Sequence, residues 1–264
     1  MNAASPIGVY DSGVGGLSVL REIRRELPDE ALMYVADSGH APYGDRPPEF
    51  IHARASAITA FLVGQGVKAV VVACNTVTGV AVEALRRQFS LPIVAIEPAV
   101  KPASARTRTG VVGVMATSVT LSSANLLRLV GQYRPPGGVA MQACPGLVEQ
   151  VENGDLSGAD TRALVERYVK PLLDAGADTI VLGCTHYAFL SPLVEAMVGP
   201  SVAVIDPAPA VARELRRRLT ESSLLAPGGR LPSVRFFSSG APDRARAVIT
   251  QLWGQPVDVE PLST

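Results

Sequence analysis

The sequence lacks the features of a secreted, membrane-spanning or nucleic-acid-binding protein. No apolar run approaches the roughly 20 residues that a transmembrane helix needs, and no basic segment followed by an apolar one opens the chain. The formal net charge is zero and Lys and Arg form no block, so we expect neither nucleic acid nor an anionic membrane as a partner. These absences predict a cytoplasmic protein.

Cysteine is also scarce. Three cysteines in 264 residues are too few, and odd in number, for a disulfide framework, which indicates free thiols in a reducing compartment. A zinc site that uses Cys74, Cys184 and His186 is an alternative, but no Cys-x-x-Cys pair supports it, so we predict no metal. No Lys lies in the loops discussed below, so no Schiff-base lysine is available for pyridoxal, and we expect no cofactor.

What is present is the composition of an α/β protein. The chain is 47% hydrophobic and 18% charged, and short β-branched runs alternate with segments of helix length. This alternation predicts mostly parallel sheets flanked by helices. At 264 residues the chain is long enough for two modest domains.

The pattern occurs twice along the chain. GVKAVVVACNT begins at Gly66 and GADTIVLGCTH at Gly176, and each Cys stands at the same distance after its Gly. Nearly the same offset separates Cys74 from Cys184, Glu97 from Asp206, and Ser12 from Thr117. We predict two pseudosymmetric domains, residues 1–98 plus 208–264 and residues 99–207, with a ligand cleft between them.

Cys74 and Cys184 are the leading candidates for chemistry. Each ends a buried strand, at the sheet edge where α/β proteins bind ligands, and polar residues follow each one. We expect helices over residues 78–89 and from about residue 191, and the pKa of a thiol falls at a helix N-terminus or beside an imidazolium such as His186. Two opposed thiols suit the removal of a proton from one face of a carbon and its return to the other. Cys144 lacks this context, and we interpret it as structural.

The residues around these thiols are suited to an amino-acid ligand. Hydroxyl, amide or backbone donors for carboxylates are available from Ser12, Tyr43, Gly44, Asn75, Thr76, Thr117, Thr120 and Thr185. Asp11 can hold an ammonium group or orient a base.

The segment DSGVGG is open to a second interpretation. Gly13, Gly15 and the later Asp37 are reminiscent of a dinucleotide site, but Ser18 occupies the third glycine position and Asp11 stands where pyrophosphate would lie. We therefore favour glycines that let the backbone approach a small ligand.

Several motifs, in order, resemble bacterial glutamate racemases of the cofactor-independent aspartate/glutamate racemase superfamily. They are IGVYDSGVGGLSVLREI, HAPYG, VVVACNT, ACPGLVEQVENG, LGCTHY and FFSSGAP. The resemblance implies that Cys74 and Cys184 are the two acid/base residues, and that Asp11, Glu152 and His186 assist proton transfer or orientation. It implies that Ser12, Tyr43, Gly44, Asn75, Thr76 and Thr185 hold the substrate, and that the protein is a homodimer. The sequence departs from the family pattern at Tyr10, at Val77, Thr78 and Gly79, and at Gly146 and Glu149.

The resulting prediction is interconversion of L- and D-glutamate, which supplies D-glutamate for peptidoglycan. Two alternatives stay open at this stage. One is a racemase for aspartate or another acidic amino acid, and the other is a non-catalytic protein that binds an amino acid in the same cleft.

Overall fold

The computed structural model describes residues 2–228 and 233–264. Its strands are β1 (Ile7–Asp11), β2 (Leu32–Ala36), β3 (Ala69–Val72), β4 (Ile93–Ala95), β5 (Val111–Ala116), β6 (Gly138–Ala143), β7 (Thr179–Leu182), β8 (Ala203–Ile205), β9 (Val234–Ser238) and β10 (Val259–Pro261). Its helices are α1 (Leu17–Glu26), α2 (Pro48–Gly64), α3 (Asn75–Gln88), α4 (Val100–Arg106), α5 (Ser118–Ser122), α6 (Ala124–Gln132), α7 (Leu147–Glu152), α8 (Ala159–Asp174), α9 (Ser191–Val198), α10 (Ala208–Glu221) and α11 (Pro242–Trp253). Across those two described ranges, no helix combines the length and the apolar character needed to cross a bilayer.

The strands form two sheets with matching topology. One sheet has the order β10-β9-β2-β1-β3-β4 and the other has the order β6-β5-β7-β8. In the described part of the chain, all of the paired strands run parallel. In the first sheet β1 lies between β2 and β3, and β4 pairs with β3. In the second sheet β5 lies between β6 and β7 in the same way, and β8 pairs with β7. The predicted fold class, two α/β units of parallel strands flanked by helices, is confirmed.

Apolar residues cover both faces of the central strands. Every residue of β1, β2, β3 and β7 is buried, as expected for parallel strands between two layers of helices. The edge strands β6 and β8 are only half-buried for most of their length. The carboxyl ends of β3 and β7, which hold the two candidate thiols, are therefore held by a rigid core.

One local prediction needs correction, and the structure adds elements that the sequence did not indicate. The helix after Cys74 begins at Asn75, three residues before the expected start at Thr78, with Cys74 as its N-cap residue. A 3₁₀ helix, Thr185–Leu190, separates Cys184 from α9. The strand β10 was not predicted, because its short sequence ends in Pro261, and proline is tolerated only at edge positions such as this one.

The last segment of the chain returns to the first sheet. Strand β9 pairs with β2, and β10 pairs with β9, while α10 packs against α1 and β4. On these contacts we propose the division into residues 1–98 plus 208–264 and residues 99–207. Residues 1 and 229–232 of the first of these units lie outside the described residues.

A buried ion pair joins the amino ends of β2 and β3. The side chain of Lys68 is fully buried, and its Nζ lies 2.5 Å from Glu30 Oε2 and donates to the carbonyl oxygen of Ala3 at 2.6 Å. The other oxygen of Glu30 accepts the backbone N–H of Ala226 at 2.9 Å. Removing either charge alone would leave its partner in a low-dielectric site without a counter-ion.

We expect Lys68→Met to lower the free energy of unfolding by about 3–5 kcal/mol, because Glu30 is then buried without its cation. Urea unfolding followed by circular dichroism measures this change. The double variant Lys68→Met with Glu30→Gln should lose less than the sum of the single losses, because the two groups interact directly. As a control, Arg86→Met removes an exposed ion pair with Glu83 and should change stability by less than about 1 kcal/mol. A similarly small loss for Lys68→Met would contradict the prediction.

Candidate active site

The two candidate thiols line one cavity between the sheets. Cys74 follows β3 and Cys184 follows β7, the corresponding strands of the two sheets, and both are buried, with 5% and 8% of their surface exposed. The cavity has an empty volume of about 280 Å³. Its lining consists of Ser12, Pro42, Tyr43, Gly44, Cys74, Asn75, Thr76, Thr117, Val148, Gly183, Cys184, Thr185 and His186.

This cavity is narrow. Centres of water-sized molecules can occupy only about 10 Å³ of it, which is the room for about one water molecule. A ligand as large as an amino acid therefore has to displace part of the wall. The side chains that line the cavity from both halves of the chain are thus already held close together.

The structure brings all of the predicted site residues together, but in two layers. Ten of them line the cavity directly. Asp11, Glu152 and Thr120 lie behind the wall and reach it through hydrogen bonds to Thr185, His186 and Thr76, respectively. Sequence reasoning missed Pro42, Val148 and Gly183 as lining residues. Pro42 and Gly183 adjoin predicted residues, whereas nothing in the sequence distinguishes Val148.

A carboxylate and an imidazole stand behind Cys184. Nδ1 of His186 lies 3.7 Å from the Cys184 sulfur, and Nε2 lies 2.7 Å from Glu152 Oε1. Burial alone would lower the pKa of His186, but the hydrogen bonds to Cys184 and Glu152 outweigh burial and raise it well above the ordinary value of 6.5. His186 is therefore held as an imidazolium that touches both the thiol and the carboxylate.

Glu152 also receives hydrogen bonds from the first half of the chain. The backbone N–H of Val14 donates to Oε1 at 2.7 Å, and the hydroxyl of Ser38 donates to Oε2 at 2.9 Å. Burial would raise the pKa of Glu152, but His186 and these two donors together bring it below its ordinary value. The ionised carboxylate thus joins the two halves of the cavity wall.

The surroundings of Cys74 contain hydroxyls and a carboxylate in place of an imidazole. The Cys74 thiol donates to Ser12 Oγ at 3.5 Å, and the Ser12 hydroxyl donates to Asp11 Oδ1 at 3.2 Å. Burial, assisted by the charge of Asp11, raises the pKa of Cys74 to about 12. The expectation that the helix N-terminus lowers this pKa is wrong, because loss of hydration outweighs the helix.

Asp11 positions side chains on both sides of the cavity. Its Oδ2 accepts the Thr185 hydroxyl at 2.9 Å, and its Oδ1 accepts the backbone N–H of Gly13 at 3.0 Å in addition to the Ser12 hydroxyl. Burial raises the pKa of this fully buried carboxyl group, while the charge of His186 and the bond from Thr185 oppose the increase. Asp11 therefore connects the Cys74 side to the Cys184 side without lining the cavity itself.

Hydroxyl and amide groups cover the rest of the wall. The hydroxyl oxygens of Thr76 and Thr117 lie 3.1 Å apart, and both are within 3.3 Å of the Thr120 hydroxyl oxygen. Within the described residues, neither the side-chain oxygen nor the side-chain nitrogen of Asn75 has a hydrogen-bond partner, although only 4% of the residue is exposed. A buried amide without partners is costly, which makes Asn75 a strong candidate for ligand binding.

The glycines of DSGVGG serve close packing between the two halves. A Cβ atom on Gly13 would overlap the Glu152 carboxylate, and one on Gly15 would overlap the His186 ring. The expectation that these glycines admit a small ligand is therefore wrong, since they admit two side chains of the candidate site. In residues 2–228 and 233–264, no group of three or more His, Cys, Asp or Glu side chains could hold a metal ion.

Comparisons with known proteins agree with this geometry. A family model described as Asp/Glu/hydantoin racemase matches residues 7–215. A glutamate racemase of Stutzerimonas stutzeri is 52% identical over 260 residues, which cover 98% of each chain. A solved glutamate racemase of Bacillus anthracis superposes with a TM-score of 0.88 at 32% identity, over 99% of this chain and 98% of that one. A Francisella tularensis glutamate racemase in complex with D-glutamate gives a TM-score of 0.86 at 28% identity, over 99% and 98% of the two chains.

We expect Glu152→Gln to lower the pKa of His186, because it removes the negative charge that stabilises the imidazolium. NMR titration of the ring can follow this change, since the chain has only three histidines. Ser38→Ala is the matched control, because it removes one donor to Glu152 and keeps the charge, so the shift should be smaller. An unchanged His186 pKa in Glu152→Gln would contradict the prediction.

The same pair sets an expected dependence of stability on pH. The raised pKa of His186 stabilises the fold fully below pH 6.5, and this contribution is lost as pH rises through the folded-state pKa. The lowered pKa of Glu152 stabilises the fold fully above pH 4.5, and this contribution is lost as pH falls through the folded-state pKa of Glu152.

Proposed function

The chain belongs to the Asp/Glu/hydantoin racemase family, and from this premise we propose that it interconverts L- and D-glutamate by proton transfer between two thiols. Two observations support the proposal. About half of the residues are identical to those of a glutamate racemase, and two thiols line one cavity. The proposed reaction class is isomerisation at the α-carbon of an amino acid.

The observation that carries the proposal is the shared cavity of Cys74 and Cys184. The two thiols follow corresponding strands of two similarly ordered sheets, and both lie in the wall of this cavity. In one direction one thiolate removes the α-proton while the opposite thiol donates a proton to the other face, and in the reverse direction the roles exchange. Inversion follows because the departing and the arriving protons lie on opposite faces of the carbon.

The two thiols differ in the groups that assist them. At Cys184, the His186 imidazolium, held by Glu152, is placed to supply a proton to the sulfur or to stabilise its thiolate. At Cys74, the hydroxyl of Ser12, held by Asp11, is placed to accept the thiol hydrogen. We assign Asp11, Glu152 and His186 to proton transfer and orientation on these contacts.

The polar wall suits the carboxylates of glutamate. The unpartnered amide of Asn75 and the hydroxyls of Thr76 and Thr117 are charge-assisted hydrogen-bond donors for them. The hydroxyl of Thr185 also lines the cavity, but its hydrogen is already donated to Asp11. Thr120 supports Thr76 and Thr117 from behind. The hydroxyl of Tyr43 already donates to Asp37, so the backbone amides of Tyr43 and Gly44 are the donors that this segment has left.

The proposed reaction requires no cofactor. The α-proton is weakly acidic, so the protein has to stabilise the developing carbanion by aiming donors at the carboxylate that gains charge. The residues that line the cavity around the thiols are almost all buried, and a site that excludes solvent strengthens each of these interactions.

The resemblance to bacterial glutamate racemases also suggests where the protein acts and what its product is used for. We propose that the protein acts in the cytoplasm on free glutamate, as a homodimer, and that it supplies D-glutamate for peptidoglycan. A small molecule is its substrate, and the complex of the Francisella protein with D-glutamate supports that assignment.

We expect Cys74→Ala and Cys184→Ala each to reduce kcat for racemisation in both directions by about a thousandfold or more, because each half of the proton transfer needs its own group. Circular dichroism of L- and D-glutamate follows the inversion. In deuterated water the parent should place deuterium on the α-carbon of the product. The control is Cys144→Ala, a buried thiol outside the cavity, which should keep parental turnover.

Two outcomes would contradict the proposal. Inversion of aspartate without inversion of glutamate would show that aspartate, and not glutamate, is the substrate. Binding of glutamate without any deuterium incorporation would support a non-catalytic binding protein.

We expect Asn75→Ala to raise KM for glutamate about tenfold to a hundredfold, because a hydrogen bond to a charged group contributes about 1.5–3 kcal/mol. Its Tm should stay equal or rise, since the variant removes a buried amide that has no partner in the described structure. Steady-state kinetics measure KM and thermal unfolding measures Tm, so the two together test whether binding weakens while stability is kept. Asn125→Ala, where the amide oxygen already bonds Arg128, serves as the control with parental KM. A fall in Tm together with an unchanged KM would indicate a structural role for Asn75.

A further inference from the structure

The loop between β2 and α2, residues 37–47, provides one wall of the cavity. Pro42, Tyr43 and Gly44 of this covering loop line the space in front of the thiols. A Cβ atom on Gly44 would lie 2.9 Å from Cβ of Thr117. The wall is therefore in close contact with the opposite half of the chain.

The covering loop has little regular structure to hold it in this position. It contains a 3₁₀ helix of one turn, Tyr43–Asp45, and otherwise turns and irregular backbone. Its position is instead set by Asp37, where the loop leaves β2. The side chain of Asp37 is fully buried, and its backbone N–H donates to the Asp11 carbonyl oxygen at 3.1 Å, which fixes it to the central strand.

Arg54, on α2, holds the Asp37 carboxylate in a bidentate pair. Its Nε donates to Oδ2 at 2.9 Å and its Nη2 donates to Oδ1 at 2.7 Å, and 13% of its side chain is exposed. The same carboxylate accepts the Tyr43 hydroxyl and lies 3.0 Å from His40 Nδ1. Three side chains from the loop and from α2 thus converge on one carboxylate.

We propose that Arg54 is a positioning residue for the racemase reaction, which acts through Asp37 and Tyr43 to hold the covering loop against Thr117. The inference rests on the proposed function, because its effect is on the binding of an amino acid in that cavity. Without the guanidinium, Asp37 is a buried carboxylate whose remaining side-chain neighbours include the His40 ring and the Tyr43 hydroxyl, so the group that anchors Tyr43 is no longer held in place from α2. Arg54 itself does not line the cavity.

The first test is Arg54→Gln, which we expect to reduce kcat/KM about a hundredfold in both directions, mainly through a higher KM, since displaced walls lose near-attack geometry. In Arg54→Ala, which empties the site, millimolar methylguanidinium should restore at least a tenth of parental kcat/KM, because the space takes a planar cation. Arg54→Lys should recover little, because an ammonium group cannot form the bidentate pair.

The second test is Tyr43→Phe, which keeps the Asp37–Arg54 pair and removes the link to the loop. We expect a higher KM with little change in Tm. The matched control is Arg235→Gln, which breaks an equally bidentate but exposed pair with Glu260 in the same sheet and should leave KM unchanged.

Distinct results separate the failure of this inference from the failure of the proposed function. A parent that does not invert glutamate contradicts the proposed function, and calorimetric binding of D-glutamate to parent and Arg54→Gln then still tests the positioning. An active parent with Arg54→Gln within twofold in KM and kcat overturns the inference. So does a loss of activity in Arg54→Ala that matches the loss of folded protein and is not rescued by methylguanidinium, and so does an unchanged KM in Tyr43→Phe.

Discussion

The carboxylate of Glu152 is the point at which the two halves of this protein are joined around the cavity. It accepts hydrogen bonds from Val14 and Ser38 on one side and from His186 on the other. The same oxygen that binds Val14 also binds the imidazole beside Cys184. Closure of the cavity and the charge of the group next to the thiol are therefore set by one side chain. The glycine at position 13 is required there because a larger residue would overlap this carboxylate.

The backbone is duplicated, but the chemistry around the two thiols is not. The matching strand orders place both sulfurs at equivalent sheet edges. One sulfur then faces an imidazolium and the other faces a hydroxyl backed by a buried carboxyl group. The pKa of Cys74 is raised above the ordinary value of a thiol by burial and by the nearby charge of Asp11. On the proposed function, the two directions of the reaction use different assisting groups.

The outer layer of the site follows a general principle in which buried charges are paired. Asp37 is held by Arg54 and Glu152 by His186, and each pair supports a residue that lines the cavity. Bidentate or short charged contacts restrict side-chain orientation more strongly than neutral hydrogen bonds do. Three of these four paired groups, Asp37, Arg54 and Glu152, therefore hold the wall in place from behind, and only His186 lines the cavity.

The sequence by itself determined the fold class, the duplication and the meeting of the two thiols, because parallel strands place the residues after their carboxyl ends at one edge of a sheet. It also predicted Asn75, Thr76, Thr117 and Thr185 as residues of the site from their position at those edges, and all four line the cavity. It did not reveal Ser38, Arg54 or Val148, since no local pattern marks them and their roles depend on which side chains the fold places beside them. Only the tertiary structure decided that the glycines of DSGVGG make room for Glu152 and His186, and that Cys74 has a raised pKa. The first depends on contacts between segments more than a hundred residues apart, and the second depends on burial and on the charge of Asp11. Local sequence patterns encode neither.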